Sequence, residues 1–592
     1  MLCFIHSTAV IRNRHYFRVL FALLSFISIT GCSEDNSKQK YTEDQVNKPV
    51  SIKVSQVGYL PNGSKYAVVP SKSATRFVIK RETDDAVRYE GVLNKPENWP
   101  LSQEANLRSA DFSEFTEQGK FYLEIAALPR SAPFVISDGV YFAPHIAAIK
   151  SFYFNRSGTE LDATYAGKWA REAGHLDEVV TVHSSATASS LDSHTVVTSQ
   201  KGWYDAGDYG KYTVNAAIAT YTLLAAYEHN SQYYESLTID IPERHNDMPD
   251  ILDEVSWNLD WLATMQRYDG AAFHKVTTLE WPGKVMPHED SEPLFAIGVS
   301  TSATLDLAAI LAVASRVYQE QDPELAKQWL AQAEKAWEWA IENPNAPYIQ
   351  PDDVQSGEYG DNTFDDEFFW AAVELYLATE DLRYLSHLSN NPVEFTVPGW
   401  ANVETLGLIS MLTRDKVSLP SVHYEKWRQK LLTLADDIVE QTMTSPYRVP
   451  MKEADFVWGS NSVLLNKAMI LLAAHRLTSN DNYLKGVYQS IAYIFGMNAT
   501  GYSFVTGIGN KTPMYPHHRI SESDKVEEPI PGMLVGGPHS GHQDNCTYPY
   551  PLPADSYLDE WCSFSTNEIA INWNAPMVYV LGELNAMQKE PK

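Results

Sequence analysis

The sequence is poor in cysteine and in basic residues. Its 592 residues include four cysteines, and 46 lysines and arginines stand against 75 aspartates and glutamates, so the formal net charge is −29. This excess of negative charge argues against nucleic acid or anionic lipid as the main partner, and it favours a neutral or cationic one. The cysteines do not have the spacing of a metal-binding motif.

Nucleotide-binding motifs and membrane-spanning runs are also missing. The chain contains neither the glycine fingerprint of a Rossmann fold nor a P-loop, and we therefore expect no organic cofactor. The apolar run at residues 19–32, VLFALLSFISITGC, is too short to span a bilayer. Three arginines precede this run, and it ends in small residues, which is typical of a secretory signal.

The end of this signal resembles the lipobox of bacterial lipoproteins. Its residues Ile29-Thr30-Gly31 are followed by Cys32, and the resemblance implies cleavage before that cysteine and its lipidation. We therefore expect a signal peptide at 1–31, a flexible polar tether at 32–49, and an exported protein anchored by lipid in the bacterial envelope. Ser33 favours the outer membrane. An ordinary secretion signal with a chance cysteine is the alternative.

Two cysteines remain once the others are assigned. Cys3 would leave with the signal and Cys32 would carry lipid, which leaves Cys546 and Cys562. Because exported proteins commonly form disulfides, we expect a bridge between these two.

The pattern of apolar and polar residues changes near residue 140. Six short β-branched or aromatic runs separated by turn residues predict a small β-sandwich at 50–139. From 140 to 592, apolar residues recur at three- and four-residue steps in about twelve segments, which predicts an all-α domain. Helices in pairs with long irregular insertions favour hairpins closed into a ring. A solenoid is the alternative, but no repeat of fixed period is found.

Three polar, aromatic stretches interrupt the helical pattern. The first is GWYDAGDYGKY at 202–212, which places Asp205 and Asp208 three residues apart among glycines and aromatic rings. Such a pair suits a water, a cation or a sugar hydroxyl. The alternative is that one aspartate only caps a helix.

The other two stretches supply further ionisable groups. Residues 503–519, SFVTGIGNKTPMYPHHR, contain glycines and prolines that exclude a helix, and they end in two histidines and an arginine. Within residues 557–576, Glu568 starts a helical pattern among apolar residues, a setting that raises a carboxyl pKa. The alternative is a glutamate that only favours the helix dipole.

Together these groups suit glycosidic hydrolysis. A carboxyl that keeps its proton, Glu568, can protonate a leaving oxygen, and an ionised pair, Asp205 and Asp208, can hold and deprotonate a water. The 15 tryptophans and 33 tyrosines fit sugar binding because ring faces stack on pyranoses, although such rings also fill cores.

From about residue 50 to its end, the sequence resembles glycoside hydrolase family 9, the inverting β-1,4-glucanases of the cellulase type. It resembles the subgroup with an N-terminal immunoglobulin-like domain. YDAGDYGKY is similar to the Asp-Ala-Gly-Asp motif of the family, and 503–519 and 557–575 are similar to its two signatures. The resemblance implies an immunoglobulin-like β-sandwich followed by an (α/α)6 barrel of twelve helices.

The resemblance also implies the role of each motif residue. Asp208 would be the general base, Asp205 would orient the water, and Glu568 would be the general acid. His517 and Arg519 would hold the sugar and its neighbours.

Further roles follow from the same resemblance. Asp559 would support the catalytic residues, and Asp366 with Glu367 resembles a pair that binds structural calcium, although a solvated acidic helix start also fits. Three tryptophans are placed to stack on glucose units or else to fill the core: Trp400, Trp458 and Trp573.

The expected activity is hydrolysis of β-1,4 bonds in cellulose-type glucans or cello-oligosaccharides by a monomer that contacts the membrane only through its lipid. One alternative is an exo-acting β-glucosaminidase on chitosan-type oligomers, which the negative charge permits. Another is a sugar-binding lipoprotein without catalysis, against which the complete set of acidic residues argues.

Overall fold

The computed structural model describes residues 50–390, 393–414 and 421–589. The predicted signal peptide, tether and lipidated Cys32 lie outside these ranges. No helix in the described ranges combines the length and the apolar character needed to cross a membrane.

The N-terminal part is a sandwich of short strands. One sheet has the order β1-β7-β6-β3-β4 and the other pairs β2 with β5 in antiparallel fashion. Each of the six runs predicted to be strands contains one, and the short β7 comes in addition. The strands are β1 Gly58–Tyr59, β2 Tyr66–Pro70, β3 Arg76–Arg81, β4 Val87–Val92, β5 Leu107–Asp111, β6 Gly119–Glu124 and β7 Phe134–Ile136.

The rest of the described chain is mainly helical. Within the described ranges, twelve helices have nine residues or more. They are α1 Phe142–Phe154, α3 Thr213–His229, α5 Asp250–Thr264, α6 Thr301–Val317, α7 Pro323–Glu342, α8 Asp365–Thr379, α9 Leu382–Asn390, α10 Glu404–Thr413, α11 Ser421–Thr444, α12 Ser460–Thr478, α13 Asp481–Ile494 and α16 Ile571–Lys589. Four shorter helices are α2 Ala163–Ala166, α4 Ser231–Glu235, α14 Arg519–Ser523 and α15 Phe564–Asn567.

The twelve long helices form two concentric rings. The inner ring closes in the order α3, α6, α8, α10, α12, α16 and back to α3, and the outer helices pack against it. Inner helices are buried on every face because neighbours surround them: in α3, every residue from Thr213 to Tyr227 is buried. Outer helices such as α7 bury one face, with Trp329, Ala333 and Trp337 turned inward.

A small sheet that the helical pattern does not predict lies in the helical part. Its order is β10-β11-β12-β8-β9, and the pair β12 and β8 is parallel. These strands belong to the long insertions between helices, where the residue pattern is too short to separate strand from loop. The strands are β8 Val180–Val182, β9 Val196–Val197, β10 Lys211–Tyr212, β11 Phe273–Thr277 and β12 Phe295–Val299.

Candidate active site

The loops that precede the inner helices meet at one end of the barrel. Asp205 and Asp208 precede α3, Tyr359 precedes α8, and Glu568 precedes α16. Tyr359 reaches Asp205, and Gly207 approaches Glu568 so closely that an added Cβ would lie 3.1 Å from its Oε1 atom. The fold thus brings together carboxylates that are more than 350 residues apart in sequence.

Asp205 is buried among hydrogen-bond donors. Its carboxylate accepts from the side-chain amide of Asn215 at 3.0 and 3.1 Å and from the Tyr359 hydroxyl at 2.9 Å. Burial, followed by the nearby charge of Asp208, raises the pKa of Asp205 to about 7, although the donated hydrogen bonds oppose this rise. Asp205 is therefore partly protonated near neutral pH, whereas the sequence suggested a fully ionised pair.

Asp208 closes a tight turn rather than a helix. Its Oδ2 atom accepts from the backbone N–H of Gly210 at 3.0 Å. The N-cap of α3 is Tyr212, whose side chain makes no capping bond, so neither aspartate caps that helix. An added Cβ at Gly210 would lie 2.9 Å from Oδ2 of Asp208, and glycine is therefore needed for this close approach.

Glu568 is in extended backbone, not at the start of a helix. It follows α15 with φ −72° and ψ 155°, and it bridges His517 in parallel fashion. The expected helical start at Glu568 is thus wrong, because the chain bends there and α16 begins at Ile571. The pKa of Glu568 is nevertheless raised well above its usual value, first by burial and then by the charges of Asp208 and Asp205.

His517 and Arg519 both support the carboxylate loops. His517 donates from Nδ1 to the carbonyl of Trp561 at 2.9 Å, which leaves Nε2 as the acceptor, and burial lowers its pKa. Arg519 donates from Nη1 to the Gly207 carbonyl at 3.1 Å and from Nε to the Pro282 carbonyl at 2.9 Å. Arg519 therefore fixes the turn that carries the two aspartates.

Asp559 anchors a neighbouring loop. Its carboxylate accepts from the backbone N–H groups of Met514 and Tyr515 at 2.8 and 2.9 Å and from the Asn567 amide at 3.1 Å. These contacts join the second and third motifs just before His517 and Glu568. They fit the supporting role that the sequence suggested, and they give Asp559 no direct contact with the other three carboxylates.

Two side chains that contact Asp205, those of Asn215 and Tyr359, were not predicted. Asn215 lies in α3, where its helical neighbours gave no sign of its contact with Asp205. Tyr359 lies 154 residues beyond Asp205, in a loop whose aromatic and acidic residues resemble many others in this chain. A polar amide inside an otherwise apolar helix was the one available signal for Asn215.

The three predicted tryptophans lie near the loops that carry the carboxylates. Trp400 contacts Tyr359 edge-on with ring centroids 5.3 Å apart, and Trp458 lies 5.4 Å from the ring of Phe564. Trp573 packs beneath Gly459 and Gly536. Trp458 is 40% exposed, and the other two are partly exposed. All three are thus partly accessible, and Trp400 and Trp573 also pack against the hydrophobic core.

The predicted calcium pair belongs to a buried acidic cluster. Glu367 is 1% exposed, so the solvated helix start is wrong for this residue. Burial and the charges of Asp366 and Asp361 raise the pKa of Asp306 well above its usual value. Both oxygens of Asp306 and one oxygen each of Asp361 and Glu367 accept no hydrogen bond from the described part of the chain.

The side chains of this cluster are not arranged as a ready metal site. Across the described ranges, no three or more His, Cys, Asp or Glu side chains are grouped so as to hold a metal ion. The oxygens without partners nevertheless fit a hard cation such as calcium, which prefers carboxylate ligands.

A disulfide joins Cys546 to Cys562, with Cα atoms 6.1 Å apart. Cys562 follows Trp561, whose carbonyl holds His517. The disulfide therefore ties the His517 support to the loop that contains Cys546.

Comparison with known proteins covers both parts of the chain. Residues 142–581 match Glycosyl hydrolase family 9, and residues 47–129 match the Cellulase N-terminal ig-like domain. The chain is 39% identical to a xyloglucan-specific endo-β-1,4-glucanase of Bacteroides ovatus, covering 91% of this chain and 94% of that protein. It is 31% identical to endoglucanase D of Acetivibrio thermocellus, covering 97% and 88%.

The solved structures that resemble this chain are also family 9 enzymes. A Bacteroides ovatus GH9 structure superposes with a TM-score of 0.85 at 37% identity, covering 91% of this chain and 99% of that one. A metagenome-derived glycoside hydrolase family 9 endoglucanase also has a TM-score of 0.85, at 33% identity, with the same coverage.

Proposed function

Because the chain belongs to glycosyl hydrolase family 9, we propose that it hydrolyses β-1,4-glycosidic bonds of glucans with inversion at the anomeric carbon. The observation that carries the proposal is that two carboxyls with different surroundings, Glu568 and Asp208, lie in one loop cluster. Burial raises the pKa of Glu568 and so favours its protonated form, while Asp208 accepts a backbone hydrogen bond from Gly210. A proton donor and a proton acceptor are thus present together.

In this mechanism, Glu568 donates its proton to the leaving oxygen while Asp208 takes a proton from the attacking water. Asp205 is the second acceptor for that water, and Asn215 and Tyr359 fix its carboxylate. Inversion follows because water attacks the face opposite the leaving group in a single displacement. Asp205 needs to be ionised to accept fully, so activity should increase as the pH rises toward its pKa of about 7.

The exposed ring surfaces support a glucan chain as the substrate. Trp400, Trp458 and Trp573 are partly exposed near the carboxylate loops, and pyranose rings stack on aromatic faces. Two of the relatives are named endoglucanases, a xyloglucan-specific one among them, which supports a β-1,4-glucan as the substrate. Their names do not favour the β-glucosaminidase alternative.

Product analysis on matched polymers tests the proposal. We expect cellohexaose or mixed-linkage glucan to be cleaved with the α-anomer released first, as followed by NMR. Xyloglucan is the second candidate substrate because of the relative at 39% identity. Cleavage of glucosamine oligomers alone, or release of the β-anomer first, would contradict the proposal.

Calcium and the lipid anchor complete the proposal. Glu367 and Asp366, together with Asp306 and Asp361, would hold a structural calcium ion, which would neutralise their shared negative charge.

Cys32 would carry lipid and hold a monomer at the outer membrane by its tether. Labelling with an alkyne fatty acid in the wild type but not in Cys32→Ser is the expected result for the anchor.

A further inference from the structure

The loop of residues 350–359 carries Tyr359 to Asp205. The backbone of Tyr359 is in the left-handed region, with φ 46°. A bulky residue is uncommon there, and such a conformation persists only where its surroundings hold it. The hydroxyl that fixes Asp205 therefore depends on whatever holds this loop.

Two consecutive buried residues of β11 hold the loop. Lys275 donates from Nζ to the carbonyl of Gly357 at 2.7 Å and to Oε1 of Gln350 at 2.9 Å. His274 is neutral because burial lowers its pKa to about 3, and it donates from Nε2 to the carbonyl of Glu358 at 3.0 Å. The two carbonyls immediately before Tyr359 are thus fixed from one strand.

The hydrogen-bond network around Lys275 extends through the loop. Gln350 donates from its amide to the carbonyls of Val354 and Ser356 at 2.7 and 2.8 Å. The Tyr212 hydroxyl accepts from the N–H of Gly357 at 3.1 Å. Lys275 binds both Gln350 and Gly357, and it therefore connects the two ends of the network.

A lysine is a costly choice for this position. Lys275 has no measurable exposure, and burial lowers its pKa to about 7 although the charges of Asp208 and Glu358 oppose this fall. A neutral donor would satisfy the same carbonyls at lower desolvation cost. The ammonium differs from a neutral donor by its positive charge, which the negative charge of Asp208 favours.

We infer that Lys275 is a positioning residue of the hydrolytic reaction. It holds loop 350–359 in the conformation that directs the Tyr359 hydroxyl to Asp205, and so it helps to aim the attacking water. The inference rests on the proposed function and assigns a contribution to a fully buried residue that is hydrogen-bonded to the loop.

A double-mutant cycle on cellohexaose tests the inference. We expect Lys275→Met to lower kcat by ~10–100-fold with little change in KM, because small misplacement of a catalytic group is costly. Tyr359→Phe should have an effect of similar size. The double variant should be no slower than Tyr359→Phe within about twofold, because residues that act through one another are not additive.

Lys65 provides a matched control. It is likewise buried in a cage of carbonyls, those of Pro61, Gly63 and Ser113 at 2.6, 2.9 and 3.0 Å, but it lies in the β-sandwich. Lys65→Met should lower the melting temperature and leave kcat unchanged. If Lys275→Met does not fold, Lys275→Gln and Gln350→Leu test the same loop, and each should lower kcat more than it changes KM.

Two results would overturn the inference. One is a kcat for a folded Lys275 variant within about twofold of the wild-type value. The other is a double variant whose loss equals the product of the two single losses, since Lys275 would then act independently of Tyr359. A wild-type protein that cleaves no β-1,4-glucan would instead refute the proposed function, and the two failures are thereby separate.

Discussion

At the scale of single residues, two aspartates three positions apart have different surroundings. Asp205 accepts hydrogen bonds from Asn215 and Tyr359, and burial raises its pKa to about 7. Asp208 accepts from the N–H of Gly210 at the edge of the turn. Environment rather than residue type thus separates the aspartate proposed to orient the water from the aspartate proposed to remove its proton.

Replacing Asp208 tests the base. Asp208→Asn keeps the shape but cannot take a proton from water, so kcat should fall by ~10²–10⁴-fold while substrate affinity changes little. Azide, added as an external nucleophile, should partly restore turnover and give an α-glycosyl azide. A β-glycosyl azide, identified by NMR, would show a retaining route and refute the inverting mechanism.

The pH dependence of stability tests whether the pKa of Glu568 is raised, as its role as the general acid requires. Because its pKa is higher in the folded chain than in the unfolded one, the folded state binds more protons above pH 4.5, and stability falls as the pH rises. Glu568→Gln removes this loss. We expect its melting temperature to exceed that of the wild type at pH 8 and to equal it at pH 4.

The matched control is Glu560→Gln, at an exposed neighbouring position, which should not change the melting temperature at either pH. Glu568→Gln should also retain most activity on substrates with acidic leaving groups, which need little protonation. Equal inactivity on all substrates would count against the acid role.

At the scale of elements, the acidic cluster joins helix α6 to the start of α8. Asp306 lies in α6, Asp361 lies in the preceding loop of α8, and Asp366 and Glu367 lie in its first turn. The N-terminus of α8 favours negative charge, but one helix end does not balance several buried carboxylates. These two inner helices are therefore the elements that a cation would stabilise.

Calcium should raise the melting temperature of the purified protein. At a concentration one hundred times its Kd, the ion would stabilise the fold by about 2.7 kcal/mol. Differential scanning fluorimetry in EDTA and in calcium measures this shift, and Asp366→Asn with Glu367→Gln should abolish it. Asp365→Asn, at an exposed neighbouring position, should preserve it. Identical melting curves with and without calcium in the wild type would refute the site.

At the scale of the whole molecule, the β-sandwich supports loops of the barrel. Trp99 is buried against Tyr447 and Phe456, with ring centroids 5.1 and 6.0 Å away. Asp555 accepts from the N–H of Gln103 at 2.6 Å. Phe456 comes two residues before Trp458, and the sandwich therefore stabilises a loop that borders the candidate active site.

Trp99→Ala should impair both stability and substrate binding. Removing a buried tryptophan lowers the free energy of unfolding by about 3–5 kcal/mol. The loop that carries Trp458 should also become more mobile, so KM should rise more than kcat falls. Phe77→Ala is the control, since Phe77 is buried within the sandwich against Tyr89. Chemical denaturation and steady-state kinetics measure the two effects. An equal rise in KM for both variants would contradict the loop's dependence on Trp99.

The sequence by itself determined the strands of the sandwich, the long helices and the three polar motifs, but not the small sheet in the helical part. Strand alternation and helical periodicity are local properties, so the runs around Tyr66–Pro70 or Thr213–His229 could be recognised without their partners. The motifs around Asp205, His517 and Glu568 are similarly short, and their order along the chain was enough to indicate the family.

Only the tertiary structure decided how these groups work together. Tyr359 donates a hydrogen bond to Asp205, 154 residues away in sequence. Lys275 donates one to Gly357, 82 residues away. The pKa of Glu568 depends on burial and on charges brought near by folding. Burial, charge and long-range hydrogen bonds arise from packing, and no local pattern of residues encodes which distant loops will meet.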